Sequence, residues 1–266
     1  MATKSKPPTR LNDEQLVSLM ALAKDSDSVE LKLTLPEEAH RSVINALGLD
    51  PLEAEIRQVF FFDTPDLTLN EHGLVVRARR AQRKGDDTVV KLRPVVPGDM
   101  PDAIRESTAF SVEVDAMPGG FVCSGSMKGV PRKASVRDVV AEGQQLRKLF
   151  SKEQRAFYDE HAPDGIALDD LTMLGPIFVL KLRFFPKEFR RKMVAEMWLY
   201  PDGSRVLELS TKCVPSEAFQ VAAEARAFLA ARGVSSEGEQ ETKTRKALEF
   251  FSAALRAADG PHAASA

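Results

Sequence analysis

Polar and apolar residues alternate in short segments along much of the chain. In Ser28–Leu35 (SVELKLTL), Glu30 and Lys32 share one face, while Val29 and the leucines take the other. Six further segments alternate in the same way, and residues 57–62 (RQVFFF) are β-rich but mostly apolar. Alternation with a period of two is typical of strands that bury one face. The pattern predicts eight strands, at residues 28–35, 57–62, 74–80, 88–94, 110–116, 178–185, 192–200 and 205–212.

Helical patterns lie between and around these strands. Pro36 opens one that stops at Gly48, and Pro215 opens another that stops at Gly233. Residues 141–161 and 242–258 also have helical spacing, whereas residues 117–134, with their Gly, Pro, Ser and Lys, are typical of a loop. Strands with separate helices around them predict a fold of the α+β class.

Composition excludes several classes of protein. With 43% hydrophobic and 29% charged residues, the chain resembles an ordinary globular protein, and its formal net charge of −2 gives no overall attraction to nucleic acid. No apolar run approaches the roughly 20 residues that span a bilayer, and the N-terminus lacks a secretory signal. Two cysteines are too few for a disulfide scaffold or a Cys-based metal site. We therefore expect a cytoplasmic protein with neither nucleic-acid nor membrane partners.

The polar strand faces carry mainly charges, and the cations often occur in pairs two residues apart on one strand. Such a pair places like charges roughly 7 Å apart on the same side of the pleat. The cations on these faces are Lys32, Arg77, Arg79, Lys91, Arg93, Lys181 and Arg183, and the acids are Glu30, Glu113, Asp115, Glu196 and Glu208.

A closed barrel would direct all of these charged groups into one lumen. Seven cations against five acids leave a surplus of two positive charges, whose burial without partners would be costly. A bound polyphosphate would supply the missing negative charge, and the carboxylates are oxygen ligands of the kind that Mg²⁺ prefers. Two simpler interpretations stay open: an ordinary solvated sheet face, and a lumen in which acids and bases only pair with one another.

A longer stretch of sequence resembles a known family. The segment Phe61–Arg80 (FFDTPDLTLNEHGLVVRARR) is similar to the Phe-Asp-Thr-Pro, Leu, Gly-Leu-x-x-Arg-x-Arg-Arg segment of the CYTH, or triphosphate-tunnel, family. SVELKLTL lies where that family has Glu-x-Glu-x-Lys, and the KLR, VEVD, KLR and ETKT segments at residues 91–93, 112–115, 181–183 and 241–244 follow in family order. The resemblance covers about residues 28–251.

The resemblance implies an eight-stranded, closed antiparallel β-barrel with helices packed outside, and activity on a triphosphate or nucleoside triphosphate with Mg²⁺ or Mn²⁺. Carried over by position, the catalytic residues are Glu30, Lys32 and Arg79. The groups implied to hold phosphates are Arg77, Arg79, Lys91, Arg93, Lys181, Arg183, Lys212 and Lys243. The groups implied to hold metal are Glu30, Glu113, Asp115, Glu196 and Glu208.

On this basis, residues 13–256 are expected to form a single CYTH-like tunnel domain, flanked by disordered tails at 1–12 and 257–266. A helical insertion near residues 117–176 is longer than a hairpin needs, and it could cap the tunnel mouth or form the surface of a homodimer. Ordinary core packing is the simpler explanation of its apolar residues Leu146, Leu149, Phe150 and Phe157.

Two positions depart from the family pattern. Ser28 stands where the signature has its first Glu, and Ser210 stands two residues after Glu208, where another Glu is expected. Serine is neutral and a poor Mg²⁺ ligand, so each change weakens the metal site. Three functions follow as hypotheses: a metal-dependent triphosphatase, a non-catalytic polyphosphate- or nucleotide-binding module, and a class IV-type adenylyl cyclase.

Overall fold

A computed structural model describes residues 13–132, 135–235, 240 and 243–258 of the chain. These residues form nine strands and eight α-helices. The strands are β1 (Ser28–Leu35), β2 (Glu55–Asp63), β3 (Leu74–Ala81), β4 (Gly85–Leu92), β5 (Phe110–Met117), β6 (Gly120–Gly129), β7 (Thr172–Phe184), β8 (Met193–Leu199) and β9 (Arg205–Cys213). The helices are α1 (Asp13–Lys24), α2 (His40–Ala46), α3 (Thr68–Glu71), α4 (Asp102–Arg105), α5 (Val136–Glu142), α6 (Lys152–His161), α7 (Ala218–Ala230) and α8 (Lys243–Ala258).

The strands close into one barrel in the order β1-β5-β6-β4-β3-β2-β7-β8-β9, with β9 pairing back to β1. Every neighbouring pair is antiparallel except β1 and β5, which run parallel. The predicted closed barrel is confirmed, but it has nine strands instead of eight and is mixed instead of purely antiparallel. Closure leaves the sheet without a free edge and encloses one face of every strand.

The ninth strand, β6, lies in the segment for which the sequence predicted a loop. Its glycines argued against a strand, and its inner face carries serines in place of the paired charges seen elsewhere. The structure supplies a reason for one of these glycines. A Cβ atom at Gly129 would lie 2.3 Å from Oε1 of Gln154, so only glycine lets α6 pack this closely against the barrel.

The predicted helices form, with one correction. α2 ends before Gly48, which has a φ of +62°. α7 buries Val221 against the barrel, whereas its Phe219 is half exposed. Residues 141–161 do not form one helix. They are divided between α5 and α6, because Gly143 takes a φ of +67° after α5 and a new capping box begins at Ser151.

The main apolar core lies between the barrel and the helices. Outward-facing residues of the strands, such as Val29 and Leu33 of β1, pack there with Val43 of α2 and Val221 of α7. The four apolar residues of the insertion, Leu146, Leu149, Phe150 and Phe157, are all buried in this core, which agrees with ordinary packing.

A second apolar cluster fills one end of the barrel. Phe61, Val75 and Trp198 belong to it, and Leu248 of α8 packs against them. Ser252 of α8 also donates a hydrogen bond of 2.7 Å to the carbonyl of Pro65. α8 therefore plugs this end of the barrel with Leu248, Phe251 and Leu255, and its first residue, Lys243, reaches the lumen.

Most of the predicted tails, 1–12 and 257–266, lies outside the described residues, although 257 and 258 complete α8. Across the described ranges, no helix combines the length and the apolar character needed to cross a membrane.

The buried side chain of Gln154 is expected to contribute to the stability of the fold. Its amide donates to the carbonyls of Thr88 (3.2 Å) and Met127 (3.1 Å) and accepts from the hydroxyl of Thr88 and the backbone N–H of Ser151. Gln154→Ala would leave these buried groups unpaired, so we expect the free energy of unfolding to fall by about 2–4 kcal/mol in urea titrations. Gln220→Ala, on the exposed face of α7, is the matched control. Equal stability of the two variants would contradict the role of Gln154.

Candidate functional site

The barrel encloses a cavity of about 440 Å³ that is lined by charged side chains. Inward-facing positions alternate along each strand, so the period-two pattern read from the sequence sends its polar face into this lumen. All fourteen residues predicted to bind phosphate or metal or to act in catalysis line the cavity. The charged side chains that the sequence pattern directed into one lumen therefore do meet there.

Three basic residues of the cavity were missed. Arg57 shares the inner face of β2 with Val59, Lys128 lies on β6, and Lys192 precedes β8 in step with Val194. Period-two spacing places Lys192 on the face of Glu196, and this signal could have identified it, whereas Arg57 shares its face with the apolar Val59 and gave no such signal. Lys128 gave no such signal either, because the sequence of its strand predicts a loop. With these three, twelve basic and five acidic residues line the cavity.

The acids form two separate groups, and the first combines Glu30 of β1 with Glu113 and Asp115 of β5. One carboxylate oxygen from each lies within 4.8 Å of the others. This acidic trio depends on the parallel pairing of β1 and β5, which aligns Glu30 with Asp115. Lys32 contacts the trio from one side, 2.9 Å from Asp115 and 3.4 Å from Glu30.

Asp115 and Glu30 of the trio are ionised at neutral pH. Burial alone would raise the pKa of Asp115, but the ammonium groups of Lys32 and Lys91 outweigh burial and lower that pKa to about 2. Burial opposes ionisation of Glu30 as well, and Lys32 again holds its pKa below the ordinary value. The same carboxylates raise the pKa of Lys32 against the effect of burial, so Lys32 stays an ammonium.

The second group is the acidic pair Glu196 and Glu208, on the neighbouring strands β8 and β9. Lys243 contacts both carboxylates and lies 2.8 Å from Glu208, while Lys181 lies 2.7 Å from Glu196. The indole N–H of Trp198 donates to Glu196 at 3.3 Å. The five predicted metal ligands are therefore divided into a trio and a lysine-bound pair.

Arg77 stands out among the basic residues because, among the described residues, it lacks an acidic partner and also has a buried nitrogen atom without a hydrogen bond. No carboxylate lies within salt-bridge distance of it in the described part of the chain, and its buried Nε has no hydrogen-bond partner there. Burial and the adjacent Arg79 lower the pKa of Arg77 to about 9, which leaves it a cation at neutral pH. Arg79 itself pairs with Asp87 at 2.8 Å.

The two serines that depart from the family pattern both contact the trio. Ser28 donates to a carboxylate oxygen of Glu113 at 3.3 Å, and Ser210 hydrogen-bonds Glu30. Ser124, opposite Glu113 on β6, is fully buried, and its hydroxyl has no partner among the described residues. Neutral oxygen atoms thus surround the acids at this side of the lumen.

The trio predicts a pH dependence of stability. Because the pKa of Asp115 is about 2 in the folded protein against an ordinary value of 3.8, its charge contributes fully above pH 3.8 and this contribution is lost as the pH falls through 2. We expect the free energy of unfolding, measured by urea titration at each pH, to fall less steeply in Asp115→Asn than in the wild type. Asp164→Asn, on an exposed turn, is the control, and parallel curves for all three proteins would contradict the assignment.

Comparisons with known proteins support the fold. No protein-family model matches the sequence, and a search of curated proteins finds no match either. Among solved structures, the chain is similar to HpAC1 of Hippeastrum, a candidate adenylyl cyclase with a dominant triphosphatase activity (18% identity, 83% of this chain and 95% of that one, TM-score 0.59). It is also similar to a candidate adenylate cyclase of Bacillus halodurans (12% identity, 83% and 97%, TM-score 0.56). The tunnel fold that the resemblance to the CYTH family implied is thereby confirmed.

Proposed function

We propose that this chain is a CYTH-type, metal-dependent hydrolase of inorganic triphosphate or of an organic molecule that carries a triphosphate. The observation that carries the proposal is the surplus of enclosed positive charge, with Arg77 in the lumen without an acidic partner and its buried Nε unbonded among the described residues. An enclosed cation without a partner is unfavourable, and a polyanion that enters the lumen would relieve this cost. A triphosphate has the charge and the oxygen atoms that several guanidinium and ammonium groups can bind together.

The basic residues differ in how free they are to hold a phosphate. Arg77 and Arg93 have no acidic partner within salt-bridge distance in the described chain, and Lys91 lies 3.6 Å from Asp115, beyond a hydrogen bond. These three are the first candidates for phosphate binding. The other residues predicted to bind phosphate already have an acidic partner: Arg79, Lys181, Arg183, Lys212 and Lys243.

The acidic trio fits Mg²⁺ or Mn²⁺. Its three carboxylates are hard oxygen donors, they are close together, and the low pKa of Asp115 keeps that group ionised at neutral pH. Glu30, Glu113 and Asp115 would hold the ion, with Ser28 and Ser210 hydrogen-bonded behind two of them. When bound, the ion would neutralise charge on the phosphate oxygens.

The residues of the chain would then act mainly by position and charge. Lys32 remains protonated, so it would serve as a fixed positive charge near the transferred phosphoryl group and not as a base. Arg79, oriented by Asp87, would contribute in the same way. Phosphoryl transfer to water needs little covalent help from the protein, and an enclosed lumen strengthens these electrostatic contacts.

A non-catalytic polyphosphate- or nucleotide-binding module is the second candidate. It is favoured by the serines at positions 28 and 210 and by the lysines that already contact every predicted metal ligand. HpAC1 has a dominant triphosphatase activity, which supports the hydrolase. At 18% identity, the similarity between this chain and HpAC1 is one of fold. Cytoplasmic location and a homodimer stay predictions.

The test is a hydrolysis assay with inorganic triphosphate, ATP and thiamine triphosphate, each with Mg²⁺ or Mn²⁺. We expect release of phosphate, and we expect Arg77→Gln to lower kcat/KM by about a hundredfold, because it removes one preorganised cation from the lumen. Arg41→Gln, an exposed arginine on α2, is the matched control and should behave as the wild type.

Other outcomes of this assay separate the alternatives. Tight binding of inorganic triphosphate in calorimetry without any turnover would contradict the hydrolase and support the binding module. Formation of cyclic AMP from ATP would identify a cyclase. Equal affinity for triphosphate and sulfate would count against both a hydrolase and a specific binding module.

A further inference from the structure

The acidic pair Glu196 and Glu208 lies with Lys243 at the end of the lumen that α8 plugs. We propose that Lys243 is a built-in cation that occupies this pair, so that the tunnel has one divalent-cation site, the acidic trio, and not two. The inference rests on the proposed function, because it takes the trio as the metal site. Lys243 would then bind the carboxylates of Glu196 and Glu208 and would not bind phosphate.

Both acids of the pair have cationic partners without a metal. Lys243 bridges Glu196 and Glu208, Lys181 binds the other oxygen of Glu196 at 2.7 Å, and Trp198 adds an N–H bond to Glu196. Two carboxylates thus face two ammonium groups, and the local charge is balanced. A divalent ion would have to displace buried ammonium groups or share the carboxylates with them, and both cost free energy in a low-dielectric site.

The position of Lys243 is held by the rest of α8. Ala247 and Leu248 are buried in the apolar plug, and Ser252 bonds the carbonyl of Pro65. The Lys243 ammonium also lies 5.2 Å from the centre of the Trp198 ring, within the range of a cation–π contact. An ammonium that the fold holds in place loses little further freedom by staying there, so it competes well against an ion from solution.

The lysines around the acidic trio bind it less firmly than Lys243 and Lys181 bind the acidic pair. Lys32 binds it tightly, but Lys91 lies 3.6 Å from Asp115, and the side chain of Lys212, which contacts Glu113, is 51% exposed. Lys212 can turn into solvent at little cost, which releases a carboxylate. The trio also has a third acid, whereas the corresponding position beside Glu208 is the neutral Ser210. The two groups therefore differ in their capacity for a divalent ion.

The experiment counts Mn²⁺ ions bound per chain by the loss of the free Mn²⁺ signal in electron paramagnetic resonance, with Mn²⁺ as the only added ligand. We expect one ion in the wild type and two in Lys243→Met, which removes the ammonium but keeps the side-chain length. Lys128→Met removes a lumen cation that bonds the hydroxyl of Ser111 and no carboxylate. This matched control should bind one ion.

A second pair of variants keeps the inference testable if Lys243→Met does not fold. Glu208→Gln should leave the Mn²⁺ affinity of the full chain within about threefold of the wild type, whereas Glu113→Gln should weaken it by about tenfold or more. Two ions in the wild type, one ion in folded Lys243→Met, or a large loss of affinity in Glu208→Gln would each overturn the inference. No bound Mn²⁺ in any of these proteins would overturn the proposed metal site itself, and this inference with it.

Discussion

Charge enclosed inside a closed sheet is the constraint on which the rest of this structure depends. A barrel hides one face of every strand from bulk water, and here that face carries twelve basic and five acidic residues. Each acid contacts at least one lysine, and the low pKa of Asp115 follows from this pairing. Arg57 and Arg183 pair with Glu55, and Arg79 pairs with Asp87, whereas Arg77 and Arg93 have no acidic partner in the described chain. The proposed affinity for a polyanion follows from this surplus of positive charge.

The two ends of the lumen serve different purposes. One end is filled by an apolar cluster and by α8, which excludes water around Trp198 and holds Lys243 against the acidic pair. The rest of the lumen keeps the acidic trio and the unpaired arginines together in one cavity. Apolar packing at one end thus lowers the local dielectric for the ionic contacts beside it, and these contacts become stronger as a result.

Much of the fold and of the candidate site could be predicted from the sequence, because period-two alternation records directly which residues share a face. Glu30 and Lys32, or Arg77 and Arg79, identify themselves as inward pairs in this way. β6 could not be predicted, because its glycines and serines read locally as a loop, and the close approach of Gln154 that requires Gly129 is a contact distant in sequence. The break between α5 and α6 was missed although Gly143 and the capping box at Ser151 signalled it.

The sequence by itself determined eight of the nine strands, their polar inner faces and fourteen of the seventeen charged residues that line the lumen, since these follow from spacing along a strand. Only the tertiary structure decided which of those residues meet. The parallel pairing of β1 with β5 aligned Glu30 with Asp115 and created the trio, while the seating of α8 brought Lys243 to Glu196 and Glu208. Partners across a closed barrel depend on strand order and register, and a single chain's spacing contains neither.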